Sequence, residues 1–142
     1  MSNTPTVNVS DIVNWFIQMR NKGFKIRQVG HDRKFAGEEY FPLMKKAGFN
    51  IVDQPQYFYV KSQGFRHIEK AAKDGTIYYL HSEAYEYCVS NVAAVEKTDD
   101  AVQYEKVEQT QRIDLFDASV FACIRAIDDS AKNKAAQLWW GE

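Results

Sequence analysis

The succession of a strand, a helix and a second strand near the start of the chain constrains the fold most. Residues 24–30 alternate between apolar and polar side chains, which is the period of a strand with one buried face. Residues 35–47 place acidic side chains early and lysines late, as the helix dipole favours, and Gly48 ends the segment. Residues 49–53 have the composition of a second strand. Two strands joined by a helix predict a parallel βαβ unit and therefore an α/β fold.

Further elements are predicted on both sides of this unit. Apolar periodicity, capping residues and glycines indicate their limits. The predicted elements are a helix over about 10–22, a helix over about 64–73, a strand over 76–80, a hairpin with strands 92–96 and 102–107, and a helix from Asp114 to about Ile127. We expect one domain over residues 1–130 and a polar tail over 131–142, with a Trp139-Trp140 pair at its end.

Composition excludes several classes of protein. The 142 residues are enough to bury a core without disulfides or a structural metal. Met1–Ser10 has neither the positive charge nor the apolar run of a secretory signal, so we expect the chain to stay in the cytoplasm. The longest uncharged apolar stretch, Ile12–Met19, is too short to cross a bilayer. Cys88 and Cys123 are isolated, which disfavours a zinc site or a disulfide framework.

The net charge of −1 is small, but the charges are unevenly distributed. Basic residues cluster early, with Asp32 opposing them, whereas acidic residues dominate later in the chain. The early basic residues are Arg20, Lys22, Lys25, Arg27, Arg33 and Lys34. This cluster has two interpretations: a surface that contacts the phosphates of a nucleic acid, or a solvated surface with patchy charge.

Asp114 and Asp117 are candidates for metal binding. They are three residues apart at the predicted start of a helix, so their carboxylates point to the same side. That side also carries Phe121 and Ile124, and a carboxylate beside a core-facing stripe needs a partner such as a divalent cation. Helix capping is the other interpretation, because Asp at the N-cap and at the third position satisfies unpaired backbone amides.

Asp32 follows the first predicted strand. Ligands and catalytic groups lie at the carboxyl ends of strands in open α/β sheets, which makes Asp32 a candidate metal ligand. The alternative is a turn residue that begins a loop or caps the next helix. His31, His67 and His81 show no HExxH spacing, and the P-loop motif GxxxxGKS or GxxxxGKT is absent from the sequence.

Six short motifs follow one another between about Ser10 and Ile127. They are Val29-Gly-His-Asp-Arg33, Gly48-Phe-Asn-Ile-Val52 leading to Gln54, Gly75-Thr-Ile with His81, Ser90-Asn-Val92, Lys106 and Arg112-Ile-Asp114. In their order and spacing they resemble the C-terminal half of the nuclease domain of phage large terminases. Each motif is only a few residues long, so the resemblance depends on the six together.

The resemblance implies a truncated RNase H-like fold, an α/β arrangement with a mixed sheet flanked by helices. In that family, carboxylates gather two Mg²⁺ or Mn²⁺ ions for hydrolysis of a DNA phosphodiester. Asp32 takes the position of the middle acidic residue, and Asp114 takes that of the final helical one. The Asp114-x-x-Asp117-Ala118 spacing is also similar to the last motif of Holliday-junction resolvases of the same fold. Asp32, Asp114 and Asp117 are therefore the expected catalytic and metal-binding residues.

The resemblance also implies double-stranded DNA as the substrate in phage DNA packaging. Arg27, Arg33, Lys34 and Lys106 are the residues expected to hold the phosphate backbone without reading bases. The portal and the small terminase subunit are further partners that the family suggests. A phage or prophage protein of this kind would act in the cytoplasm of a bacterial host.

Two parts of the family's proteins have no counterpart in this sequence: the hairpin whose first strand carries another catalytic Asp, and the ATPase domain that precedes it. Asp11 precedes a predicted helix and does not replace the missing ligand. The chain is then a metal-dependent endonuclease domain, half of one that another chain completes, or a non-catalytic interaction module that keeps the fold. An α/β binding protein unrelated to phage is a further interpretation. A sheet edge exposed by the missing strands predicts self-association.

Overall fold

The computed structural model describes residues 8–32, 39–98 and 101–140, with side chains as far as Lys134. The chain divides into two compact units, Met1–Pro55 and Gln56–Glu142. The first contains α1 (Val9–Asn21), β1 (Val29–His31), α2 (Tyr40–Lys46) and β2 (Ile51–Asp53). The second contains α3 (Phe58–Asp74), α4 (Glu83–Ser90), β3 (Val92–Glu96), β4 (Val102–Lys106) and α5 (Asp114–Trp140). No helix among these described residues has the length and apolar character needed to cross a membrane.

The first unit is built on the predicted strand, helix, strand succession. β1 and β2 pair in parallel, with His31 opposite Asp53 at their ends. α2 connects the two strands, and α1 packs against α2. The buried residues of this core are Val13, Val29, Tyr40, Met44 and Phe49. The predicted βαβ unit is therefore confirmed, with helices and strands sharing one apolar centre.

The strands of this unit are shorter than the sequence predicts. Regular pairing begins at Val29, whose amide donates to the Asn50 carbonyl, and ends where the Gln54 amide donates to the His31 carbonyl. Residues 24–28 alternate as a strand does, yet they precede this ladder and are irregular. Alternation alone did not identify the buried side chains here, since Phe24 is 61 % exposed; a strand also needs a partner for its backbone groups.

Both helices of the first unit begin at other residues than predicted. The Asn8 side chain accepts the Ser10 amide at 3.0 Å and caps α1, so the helix starts before Ser10. α2 begins at Tyr40, and residues 35–38 of the predicted helix lie outside the described residues. Gly48, which was predicted to end this helix, has a φ of 92°, a conformation that favours glycine. The predicted end of this helix is therefore confirmed.

The second unit packs a hairpin and two helices around α5. β3 and β4 pair antiparallel, as the sequence predicts, and Ala94 lies opposite Tyr104. α3 lies against both α5 and β4, and α4 lies against α5. The Tyr104 and Phe116 rings meet edge to face, with centroids 5.1 Å apart. The buried residues of this core are Cys88, Tyr104, Ile113, Phe116 and Val120.

Residues 76–80, α4 and the end of α5 differ from the predictions. Residues 76–80, predicted as a strand, are irregular, and Tyr78 and Leu80 are 88 % and 90 % exposed. They follow the left-handed Gly75 that ends α3 and have no strand partner in the described part of the chain. α4 was not predicted; Ser82 caps it by accepting the Tyr85 amide at 3.2 Å. α5 continues past the predicted end to Trp140, because residues 128–140 include no Gly or Pro.

Gly64 sets the distance between α3 and α5. α3 starts at Phe58, so Gly64, predicted near the beginning of the helix, lies well inside it. It is buried, and a Cβ there would stand 2.6 Å from Val120 Cγ1 and 2.8 Å from the Val120 carbonyl oxygen. A backbone oxygen cannot move aside unless α5 moves with it, so this close approach requires glycine.

We expect Gly64→Ala to destabilise the protein by about 1–3 kcal/mol, because overpacking outweighs the roughly 1 kcal/mol that alanine gains over glycine within a helix. Urea unfolding measures this free energy. Gln63→Ala, at the exposed neighbouring position, is the control and should change it by less than about 0.5 kcal/mol. An unchanged or raised stability of Gly64→Ala would show that α5 yields at this contact.

Candidate functional site

Asp114 is the first residue of α5. The Ile113 carbonyl accepts the Asp117 amide at 2.9 Å, so Ile113 occupies the N-cap position and Asp114 follows it. The Asp114 side chain is 76 % exposed, and its Oδ2 lies 3.8 Å from Arg112 Nη1. An ion pair of this length in solvent is weak. The carboxylate therefore stands in water at the positive end of the helix dipole, with Arg112 beside it.

Asp117, in the next part of the same turn, has a different environment. Its Oδ1 accepts a hydrogen bond of 2.5 Å from the Tyr104 hydroxyl and lies 3.7 Å from Lys61 Nζ. The Lys61 ammonium also lies over the rings of Tyr104 and Phe121, at 5.7 and 5.9 Å from their centroids. Only a quarter of the Asp117 side chain, 25 %, is exposed. Asp117 is thus held by a buried tyrosine of β4 and a lysine of α3.

Asp32 directly follows β1, at the carboxyl end of the parallel pair, and is half-buried. The preceding residue, His31, is buried and donates from Nδ1 to the Val52 carbonyl at 2.9 Å, so this nitrogen carries the proton. Its Nε2 lies 3.4 Å from Asp53 Oδ1 but lacks the direction of a hydrogen bond. Because Asp53 ends β2, two carboxylates and a buried histidine lie at this edge of the sheet.

The predicted metal ligands are distributed over both units. Asp32 belongs to the first unit, whereas Asp114 and Asp117 belong to the second. Within the described residues, no three His, Cys, Asp or Glu side chains converge closely enough to hold a metal ion. In α5, Asp114 contacts Arg112, and Asp117 contacts Tyr104 and Lys61. Although the two carboxylates belong to the same helix turn, they therefore contact different partners.

Of the predicted DNA-contacting residues, Arg27 is exposed in the segment before β1, and Lys106 ends β4. Arg33 and Lys34 lie outside the described residues. Lys61 was not predicted, because a single lysine on a helix has no sequence signal that separates it from a solvated residue. The contact of His31 with Asp53 was also not predicted. Aligning the ends of the two predicted strands would have placed these residues opposite each other.

We expect Tyr104→Phe to lower the free energy of unfolding by about 1.5–3 kcal/mol, the range for a hydrogen bond to a charged group. Tyr85→Phe is the matched control, because the Tyr85 hydroxyl donates to the neutral Ser119 hydroxyl at 3.1 Å and should contribute about 0.5–1.5 kcal/mol. Urea unfolding of both variants at neutral pH gives the comparison. Equal losses would show that the charge of Asp117 adds nothing to the Tyr104 contact.

The same contact predicts a pH dependence. Burial first, and then the hydrogen bond to Asp117, raises the pKa of Tyr104 above the ordinary value of about 10. A pKa raised in the folded state gives a stabilisation that is fully present below about pH 10 and is lost as the pH rises beyond it. The difference in unfolding free energy between the parent chain and Tyr104→Phe should therefore shrink above about pH 10. Chemical unfolding at stepwise higher pH measures it, and a constant difference would contradict the assignment.

Two solved structures have a fold similar to that of this chain. The sequence matches no family profile and no curated protein. The large terminase of bacteriophage HK97 has a similar structure, with a TM-score of 0.68 and 17 % identity over 84 % of this chain and 25 % of the terminase chain. The large terminase nuclease of the thermophilic phage G20c has a TM-score of 0.63 and 12 % identity over 84 % of this chain and 63 % of that chain. This chain therefore spans less than two thirds of either protein.

These similarities confirm the predicted fold class. The described chain combines a parallel strand pair, an antiparallel strand pair and flanking helices, as the predicted α/β class requires. The match extends over most of the chain in both comparisons. The protein therefore has a fold similar to those of these two phage terminase structures.

Proposed function

We propose that this chain is the C-terminal part of a metal-dependent DNA endonuclease domain of the phage large terminase type. The observation that carries the proposal is the exposed Asp114 carboxylate at the start of α5, in a fold similar to that of a phage terminase nuclease. Asp32, at the carboxyl end of β1, provides a carboxylate at an edge where α/β folds bind ligands. On this proposal the chain acts in DNA packaging, in the cytoplasm of a bacterial host that carries the phage.

The side chains at these positions suit a divalent metal. Carboxylate oxygens are the ligands that Mg²⁺ and Mn²⁺ prefer. Asp114 meets this requirement best, because its ion pair with Arg112 is long and solvated and little is lost when a cation replaces the guanidinium. Asp117 offers its Oδ2, since the contacts with Tyr104 and Lys61 both fall on Oδ1. We therefore propose metal binding at Asp114 and Asp117 in the second unit and, separately, at Asp32 in the first.

The protein's contribution to catalysis is to hold these carboxylates in place. When bound, a pair of divalent ions supplies a water nucleophile and stabilises the leaving oxygen of a phosphodiester. The Tyr104 hydroxyl and the Lys61 ammonium fix the direction of the Asp117 carboxylate. Lys61 also places a positive charge next to this carboxylate, which favours a phosphate bound nearby. Asp114 would contact a bound metal directly, and Asp32 is proposed to do so in the first unit.

Basic residues are proposed to hold the DNA backbone. Arg27 lies just before β1 and Lys106 ends β4, and Arg33 and Lys34 follow Asp32 in the sequence. Contacts of this kind neutralise phosphates without reading bases, so the affinity for double-stranded DNA would fall steeply as salt rises. Such binding suits cleavage with little sequence preference.

A second function, docking without cleavage, is favoured by one observation. Residues 77–80 expose large apolar side chains in the irregular segment between α3 and α4. Contiguous exposed apolar surface is typical of a protein contact. The portal, the small terminase subunit or a second copy of this chain would be the partner. This function requires a folded chain that does not cleave DNA, and an elution volume independent of concentration would count against self-association.

Cleavage of supercoiled plasmid DNA in Mn²⁺ tests the nuclease proposal. We expect the purified chain to nick the plasmid, and Asp32→Asn and Asp114→Asn each to lower the rate by more than about 100-fold, because each removes a metal ligand. Asp117→Asn should lower the rate by about tenfold, since Lys61 already neutralises that carboxylate. Gel electrophoresis of nicked and supercoiled forms over time gives the rates.

Asp74→Asn is the matched control for these variants. Asp74 is an exposed carboxylate at the end of α3, paired with Lys70 at 2.6 Å and outside the candidate site, so its variant should cleave at the parent rate. Nicking that persists in Asp114→Asn would remove this residue from the mechanism. A folded parent chain without any nicking would leave docking as the better-supported function.

A further inference from the structure

Asn91 is a buried polar residue between α4 and β3 that the candidate site described above does not include. It is 3 % exposed, and a buried amide costs free energy unless its groups find partners. Its main-chain amide donates to the Cys88 carbonyl at the end of α4. Its main-chain carbonyl accepts the Val107 amide just after β4. The backbone of Asn91 therefore joins the end of a helix to the end of a strand.

The Asn91 side chain reaches a third segment. Its Nδ2 donates to the Arg112 carbonyl over 3.0 Å. Arg112 is two residues before Asp114, and Ile113 between them is buried in the core. The same Arg112 places its guanidinium 3.8 Å from the Asp114 carboxylate. Asn91 thus holds the backbone that leads into α5 against two other elements of the unit.

We propose that Asn91 is a positioning residue for Asp114. The inference rests on the proposed function, because it concerns the carboxylate assigned there to the metal. Asp114 is largely exposed, so the backbone on either side determines where its side chain stands. On the C-terminal side, α5 is packed through Phe116, and on the N-terminal side the Asn91 amide holds Arg112. Without that hydrogen bond the first turn of α5 opens more often, and the carboxylate loses its fixed direction.

Amide hydrogen exchange and Mn²⁺ binding, both followed by NMR on the whole chain, test this role. In Asn91→Ala we expect the Asp117 amide, which makes the first hydrogen bond of α5, to exchange about tenfold faster than in the parent, beyond any change elsewhere in the second unit. The Mn²⁺ concentration that broadens the Asp114 signal should rise by about 10- to 100-fold, the effect of removing a group that orients a metal ligand. Asn91→Ser, whose hydroxyl is too short to reach Arg112, is the second variant in case the alanine variant does not fold.

Ser62→Ala is the matched control. The Ser62 hydroxyl is buried in the same unit and accepts the Val102 amide at 2.9 Å, so this variant also loses one buried hydrogen bond. It should speed the exchange of the Val102 amide. Exchange of the Asp117 amide and the Mn²⁺ response of Asp114 should stay at the parent values, because the Asn91 contact is intact.

Two results would overturn the positioning role. One is an equal effect of the Asn91 and Ser62 variants on exchange of the Asp117 amide. The other is a parent chain that binds Mn²⁺ at Asp114 and an Asn91 variant that binds it equally well. A parent chain whose Asp114 signal does not respond to Mn²⁺ counts against the proposed function instead, and the exchange comparison then decides whether Asn91 holds the start of α5.

Discussion

The close approach of α3 to α5 at Gly64 is the contact on which the second unit depends. Val120 fills the space that a larger side chain would take, and it is fully buried there. With the helices this close, Phe65 stacks against Tyr104 at 5.8 Å between centroids and also meets Phe116. Tyr104 then reaches α5 with its hydroxyl. The absence of one side chain on α3 thus governs where the hairpin meets the Asp117 carboxylate of α5.

Asp114 and Asp117 of α5 differ in their surroundings more than their spacing in the sequence indicates. They are three residues apart in one turn, and the sequence pattern treats them alike. Asp114 faces water beside the exposed Arg112. Asp117 instead accepts a hydrogen bond from the hydroxyl of Tyr104, whose pKa is raised by burial. A solvated carboxylate keeps its full capacity to exchange partners, and one fixed by a buried network does not. The two carboxylates therefore differ in how readily they can exchange partners.

Local patterns were enough to predict the parts of the fold that depend on neighbouring residues. The alternation before His31 and the helix after it predicted a βαβ unit with Asp32 at its carboxyl edge, and the structure has Asp32 there. The apolar periodicity after Asp114 likewise predicted the start of α5. Both signals come from residues within a few positions of one another, which is the range over which helix and strand periods are expressed.

Contacts between distant residues could not be predicted in this way. Lys61 and Asp117, or Asn91 and Arg112, meet only after several elements have packed, and no period connects them. The strand predicted over residues 76–80 was wrong for a different reason. Their apolar and aromatic side chains have strand propensity, but that propensity reflects burial on a sheet, and these side chains are exposed. The aromatic side chains before Ser90 likewise did not indicate the helix α4. The sequence signal for its start was Ser82, which caps it.

The length of α5 has a consequence for how the helix moves. Its 27 residues extend about 40 Å, yet the buried side chains among residues 114–134 are Phe116, Val120 and Phe121, which all lie near its beginning. Packing holds the backbone where these three side chains lie, so local opening should be rarer around the aspartates than over residues 126–134, which are mostly exposed. Sequence change or a binding partner at residues 126–134 would therefore leave the turn that carries the aspartates intact.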